Sequence, residues 1–276
     1  MTATSSTGAI LTVTGYVPNL HYYNGRGGKD ILPLYRDAAA HQPNLAQGLQ
    51  PALGKRLGIA EPSPEDIAAY VYTLLSATRY QQRFAEALKT PGPRVLITAD
   101  PTLWAEAVTL GRELLWLHTW AERFSDPKAG RGRRLPRIEG IGWELPITKM
   151  PQASADIAYE KNTQRLRIGD GVITGIRPDV WGYSVSGMEV VKKWLGYRTA
   201  KGAGRAASSK NPLDKIRPAS WPDEWNDELL DLLRMLTRTV ELQPLQSELL
   251  DRICDGALVA GSELPKPTAL QRKPPK

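Results

Sequence analysis

An α+β fold, with helical parts flanking a small and mainly antiparallel sheet, is predicted by three features of the 276-residue chain. Apolar residues recur at helical spacing over 67–88 and again over 103–117. The stretch 138–185 breaks into short alternating runs separated by Pro, Gly and Asn, and a leucine-rich helical stripe returns after residue 222. The length is enough for one large domain or two small ones.

Each element has a local reason. Residues 9–17 mix Ile10, Leu11, Val13 and Val17 with threonines and read as an opening strand that Pro18 ends. Gly25, Arg26, Gly27, Gly28 and Lys29 form a glycine-rich basic loop without the spacing of a phosphate-binding P-loop, and the plain reading is a tight turn between strands. Ser63 and Pro64 give an N-cap followed by proline at the first helical position, with Glu65 and Asp66 at the positive end of the dipole. The stripe Ile67, Tyr70, Val71, Leu74, Leu75, Phe84 and Leu88 then predicts one long helix. Asp100 and Pro101 repeat the start signal for a second helix carrying Leu103, Trp104, Val108, Leu114, Leu115 and Leu117.

From Ser125 to Arg137 the composition turns basic and rich in Gly and Pro, predicting a mobile loop that contains Arg131, Arg133 and Arg134. In the sheet region, Gly169, Asp170 and Gly171 are expected to turn one hairpin. Ser186 and Gly187 mark another tight turn. A short amphipathic helix follows, with Val190, Val191, Trp194 and Leu195 toward the core and Lys192 and Lys193 outward, beside Arg198, Lys201 and Arg205. A third long helix is expected over 222–242, with Pro244 separating it from a short closing helix that carries Leu249, Leu250, Ile253 and Cys254. The last stretch, 263–276, is basic and proline-rich and reads as a disordered tail.

Composition narrows the function. A formal charge of +7 and a pI near 9.4 favour an anionic partner. Cys254 is the single cysteine, which excludes an intrachain disulfide and fits a reducing cytoplasm. No signal peptide or run of about 18 apolar residues is visible, so a soluble, cytoplasmic protein without a membrane partner is expected. His118 and Glu122 stand four apart and would meet on one helix face as an acid/base pair, but the same spacing is ordinary in a stabilised helix, which is the favoured reading. Three dispersed histidines and one cysteine offer no zinc pattern. No catalytic residue, metal site or cofactor site is assigned. The basic positions Arg26, Lys29, Arg131, Arg133, Arg134, Lys192, Lys193, Arg198, Lys201, Arg205 and Lys210 are the candidate DNA contacts, and solvated loops are the plain alternative for them. Of the neighbouring aromatics, Trp194, Trp221 and Trp225 are assigned to packing and Tyr197 is left open.

The string SGMEVVKKWLGYR, then NPLDKIRPASW and a leucine-rich helix, resembles the C-terminal specificity domain of Type ISP restriction-modification enzymes. GRGGKDILPLYRDAAAHQPNL, PEDIAAYVYTLLSATRYQQRFAEAL and LGRELLWLHTWAERF resemble the same domain in the same order. The resemblance implies one DNA-recognition domain over 1–262, with a helical part at about 45–124, a β-rich part at about 136–186 and a C-terminal helical part at about 187–256. It also implies sequence-specific recognition of duplex DNA, with adenine methyltransferase, helicase and nuclease modules of the same bacterial system as partners. The glycine-rich loop and the Asn/Asp-Pro-Pro-Tyr/Phe pocket of an amino methyltransferase, and the GxxxxGK[ST] loop of a motor, do not occur in the chain. The competing expectation is a protein-interaction scaffold that docks a methyltransferase or defence partner, with the positive charge incidental.

Overall fold

The computed structural model describes residues 10–16, 31–90, 94–185, 187–200, 218 and 220–273. They divide into two compact units, one of Met1–Arg133 with Leu242–Lys276 and one of Arg134–Glu241. The first is helical and the second carries the sheet, an α+β arrangement.

In the first unit the capping signals act as the sequence suggests. Helix α1 (Leu49–Leu57) ends on Gly58, whose left-handed φ of 65° suits glycine. Helix α2 (Pro64–Leu75) starts from a full capping box: Asp66 donates its backbone N–H to the Ser63 hydroxyl and accepts the Ser63 N–H in return. Arg112 clamps the same carboxylate at 2.7 Å. Burial alone would raise the Asp66 carboxyl, but the hydrogen bonds from Ser63 and Arg112 and the Arg112 charge together hold it below its ordinary value.

The expected single helix over 64–88 is broken. α2 stops at Leu75, α3 (Thr78–Arg83) follows, and a 3-10 turn spans Ala87–Lys89. The Ala77 N–H bonds the Leu74 carbonyl, which leaves the Thr73 carbonyl to be satisfied by the buried Gln246 amide at 3.1 Å. Ser76 also accepts from Gln246. The apolar stripe continues through the break because Tyr80 and Leu88 are buried in the same core as Leu74.

Helix α4 (Pro101–His118) is N-capped by Asp100 and packs on α2. The approach is close at Gly111, where a Cβ would stand 2.0 Å from the Ala69 carbonyl oxygen. Tyr70 stacks on Trp104 with ring centroids 4.3 Å apart. Leu249, Leu250 and Ile253 complete this core. Residues 10–16 form no strand, contrary to the expectation for the opening segment. Toward the other end, the segment expected to be a disordered tail is held through Lys273: Arg36 donates to the Gln271 and Lys273 carbonyls, and Gln271 donates to the Leu45 carbonyl.

The second unit holds a four-stranded antiparallel sheet in the order β1-β4-β3-β2, from β1 (Gly142–Leu145), β2 (Ile157–Glu160), β3 (Arg165–Ile168) and β4 (Gly171–Thr174). Gly169 turns β3 into β4 with φ 58°, as the Gly-Asp-Gly run predicts. Asp170 accepts the Thr148 and Lys149 N–H groups and the Thr148 hydroxyl, and these bonds, led by the hydroxyl, hold its carboxyl below the ordinary value. Leu166, Ile168 and Ile173 are fully buried on the inward face. Helix α5 (Pro178–Trp181), the hairpin β5 (Ser184–Val185) and β6 (Met188–Glu189), and α6 (Val190–Gly196) follow.

Helix α7 (Glu224–Asp255) corrects another expectation: it runs through Pro244 without a break. Proline removes one intrahelical donor, leaving the Val240 carbonyl without its i+4 partner, at a usual cost of about 3 kcal/mol. The helix persists because apolar residues are buried on both sides of that point, Leu229, Leu232, Leu233, Leu236 and Leu242 before it and Leu249, Leu250 and Ile253 after it. The division between the units falls at Glu241 and Leu242, just ahead of the proline.

Candidate nucleic-acid interface

The basic side chains differ in what holds them. Five of the candidates, Arg26, Lys29, Lys201, Arg205 and Lys210, lie outside the described residues. Arg131 is buried in a built turn: its guanidinium bonds the Phe124 carbonyl and pairs with Asp126 at 3.3 Å. Asp126 in turn accepts the Lys128 and Ala129 N–H groups, and Trp116 donates to the Gly132 carbonyl at 2.7 Å. The stretch expected to be a mobile loop is therefore tied down over 126–132, and Arg131 acts there as a structural clamp. Arg133 and Arg134, next in the chain, are exposed.

In the second unit, α6 forms over the predicted residues, with Val191 and Leu195 buried. Lys192 is exposed, pairs with Glu189 one turn back and sits 5.4 Å from the centroid of Trp181, which stacks on Tyr159. The Lys193 ammonium lies 4.9 Å over the ring of Tyr197, an exposed tyrosine at the helix end. Lys192 presents its charge outward, while Lys193 is half-buried.

Arg198, just beyond the end of α6, is held by side-chain contacts. Its guanidinium carbon stands 3.7 Å from the centroid of Trp194 and 5.0 Å from that of Trp225, and Nη2 pairs with Glu228 at 3.1 Å. Burial pulls its pKa below the ordinary arginine value, against the opposing pull of Glu228. Nε is buried without a hydrogen-bond partner. Trp221 is buried edge-on against Trp225, in agreement with the packing role expected of these indoles.

Asn226 and the sheet arginines were not signalled by the sequence. Asn226 is buried at the start of α7, where its side-chain oxygen accepts from the Ile147 N–H and the Trp221 indole at 3.2 Å each, and its amide donates to the Ile147 carbonyl at 3.0 Å. An isolated Asn between Trp225 and Asp227 looks like any exposed helix residue. Arg165 and Arg167 project from β3 on the face opposite the buried Leu166 and Ile168. Arg165 pairs with Glu144 at 2.8 Å. Their alternation with apolar residues was the available clue.

His118 and Glu122 do not form the expected helical pair. α4 ends at His118, and the left-handed Trp120 and Ala121 turn the chain away. His118 Nδ1 is 2.6 Å from the Tyr72 hydroxyl, and burial pushes its pKa down to about 4. Glu122 instead accepts from the Tyr16 hydroxyl. Among the described residues no group of three or more His, Cys, Asp or Glu side chains is arranged to hold a metal, and no helix is long and apolar enough to cross a membrane.

The model of the Type ISP C-terminal specificity domain family matches residues 1–232. Among solved structures, the cryo-EM structure of a DrdV–DNA complex is similar, with a TM-score of 0.50 and 17% identity over 81% of this chain and 21% of that one. A nuclease-deletion mutant of the Type ISP restriction-modification enzyme LlaGI, in complex with a DNA substrate mimic, gives a TM-score of 0.47 and 20% identity over 67% of this chain and 14% of its own. The ATP-dependent Type ISP enzyme LlaBIII bound to DNA gives 0.46 and 17% over 72% and 12%. The chain thus spans only a small part of each of these proteins. No curated protein matches. With most of its length matched by the family model, the chain belongs to the Type ISP C-terminal specificity domain family.

Proposed function

We propose that the chain recognises a specific sequence in duplex DNA on behalf of a Type ISP-like restriction-modification system. Methyltransferase, helicase and nuclease modules supply the chemistry in this reading, and no cofactor is assigned to the chain itself. The observation that carries it is the family match over 1–232 in a chain of net charge +7. That the similar DrdV structure is a complex with DNA agrees with it. Exposed Arg133, Arg134 and Lys192, with the half-buried Lys193, supply cations for the phosphates, which orient the duplex without reading it. Arg26, Lys29, Lys201, Arg205 and Lys210 extend the same expectation.

A selection on random duplexes, run with and without a methyltransferase module from the same system, tests the proposal. Enrichment of one sequence is expected. Its log affinity should fall linearly with log salt, by about 0.9 per phosphate contact. Equal retention of all duplexes, or affinity independent of salt with a stable complex to the methyltransferase, would replace DNA reading with the scaffold role.

A further inference from the structure

We infer that the segment 266–273 is an arm that grips the phosphate backbone of the target duplex through Lys266, Arg272 and Lys273, with Arg36 as its positioning residue. The inference rests on the proposed DNA-recognition role and adds a contact surface to it.

From Leu264 to Lys276 the chain carries four cations, Lys266, Arg272, Lys273 and Lys276, and no carboxylate, in a protein of net charge +7. A segment of that composition buries little and ordinarily stays solvated. Here its backbone is held at several points. Thr268 and Gln271 form a capping box: the Thr268 hydroxyl accepts the Gln271 N–H at 3.2 Å, and the Gln271 side-chain oxygen accepts the Thr268 N–H at 2.9 Å. Arg272 closes the turn by donating its N–H to the Thr268 carbonyl. The Gln271 amide ties the turn to the Leu45 carbonyl, and the half-buried Arg36 guanidinium spans the Gln271 and Lys273 carbonyls at 3.1 and 2.7 Å. Asn44 accepts from the same guanidinium, which fixes Arg36 itself.

Apolar burial does not account for these ties. Leu264 packs against the helical core, but Leu270, inside the turn, is 74% exposed. What the ties hold in place is charge. Lys266, Arg272 and Lys273 are exposed, and none of them pairs with a carboxylate among the described residues. Arg56, Arg79, Arg83 and Arg252 of the same unit are each matched to an acidic partner. The Arg272 Nε donates to the Pro267 carbonyl at 3.4 Å, which orients the side chain and leaves its two terminal nitrogens unbonded among the described residues.

A surface of one sign suits phosphate oxygens and not base edges, which present donors and acceptors together. Duplex DNA offers one negative charge per about 1.7 Å of axis, enough to meet several cations on one short segment. A backbone fixed before binding also avoids the ordering cost of a free tail, roughly a factor of ten in affinity for each residue ordered. Arg36 spends its donors on main-chain carbonyls, so it supplies position and no phosphate contact.

The test compares the full chain with the triple variant Lys266→Gln/Arg272→Gln/Lys273→Gln and with Arg36→Gln. Duplex affinity is measured against salt, sequence preference by random-duplex selection, and folding by thermal unfolding. The triple variant should unfold at the wild-type temperature and flatten the salt slope by about 0.9 per contact, about 2.7 for all three. Its selected sequence should be that of the wild type, because phosphate contacts carry no sequence information. Arg36→Gln keeps the three cations but frees the turn, so affinity should fall about tenfold with the slope retained. A triple variant with the wild-type slope overturns the inference and leaves the recognition role standing. An Arg36→Gln variant with wild-type affinity overturns the positioning role and with it the held arm. Loss of the complex with the methyltransferase module, with the duplex slope intact, would make the arm a protein dock. A wild type that enriches no sequence would instead overturn the recognition role itself.

Discussion

Replacing Arg198 by Ala separates a structural cation from a DNA contact. In the structure it removes a stacking interaction with Trp194 at 3.7 Å and a more distant one with Trp225 at 5.0 Å. Together these are worth about 1.5 kcal/mol at a partly buried site. The half-exposed ion pair with Glu228 adds about 0.5 kcal/mol. Release of the buried, unbonded Nε returns part of this, so the expected net loss is about 1.5 kcal/mol. Urea unfolding followed by tryptophan fluorescence should then show a midpoint lower by about 0.7 M, taking a slope near 2 kcal/mol per M. Arg198→Lys keeps the charge but loses the planar stack, and should fall between the two. Neither variant should alter the salt slope for duplex binding by a full contact. An unchanged urea midpoint in Arg198→Ala, together with a slope flattened by about 0.9, would refute the packing argument and make Arg198 a phosphate ligand.

Three further expectations concern stability. His118 is neutral in the fold, with its pKa depressed to about 4 against an ordinary 6.5, so the unfolded chain takes up the proton first as the solution is acidified. Stability from this residue is complete above about pH 6.5 and falls, by at most about 3 kcal/mol, as the pH drops toward 4. His118→Gln should flatten urea midpoints across that window, and an identical pH profile would count against a buried neutral imidazole. Gly111→Ala forces a methyl group against the Ala69 carbonyl at 2.0 Å and should cost about 3 kcal/mol. Gly196→Ala at the end of α6 meets nothing within 4 Å and should stabilise by about 0.5 kcal/mol. Thermal midpoints moving in opposite directions check that pair. Asn226→Ala orphans the Ile147 N–H and carbonyl and the Trp221 indole, and should cost about 3 kcal/mol in the urea transition.

Local chemistry made much of the fold legible. Ser63-Pro64 and Asp100-Pro101 start helices because side-chain oxygens satisfy the first amides, and Gly169 turns a hairpin because its φ is positive. What escaped depends on distant partners. The break after Leu75 is stabilised by Gln246, far along the chain, and the stripe that crosses it is real because both pieces bury the same face. Pro244 marks a helix end by local rules, but burial on either side outweighs its missing donor. The basic residues were legible as cations and not as roles. Helical spacing puts Lys192 on the outer side of α6, but it cannot tell that Arg198, past the helix end, folds over two indoles.

The course of α7 through both units has a consequence for synthesis on the ribosome. The first unit is discontinuous, and Leu249, Leu250 and Ile253 belong to the core formed with Leu53, Leu74 and Trp104. When residue 133 has been translated, that core lacks a wall, and the wall is made only after the whole of 134–241. At about 5–20 residues per second the interval is roughly 5–20 s, long compared with the folding time of a small domain. The later-made insert is therefore able to fold before its host, while the nascent α2–α4 pair carries its apolar face uncovered. That interval is where chaperone binding and aggregation of this chain should concentrate, and a truncation before Leu249 should extend it indefinitely.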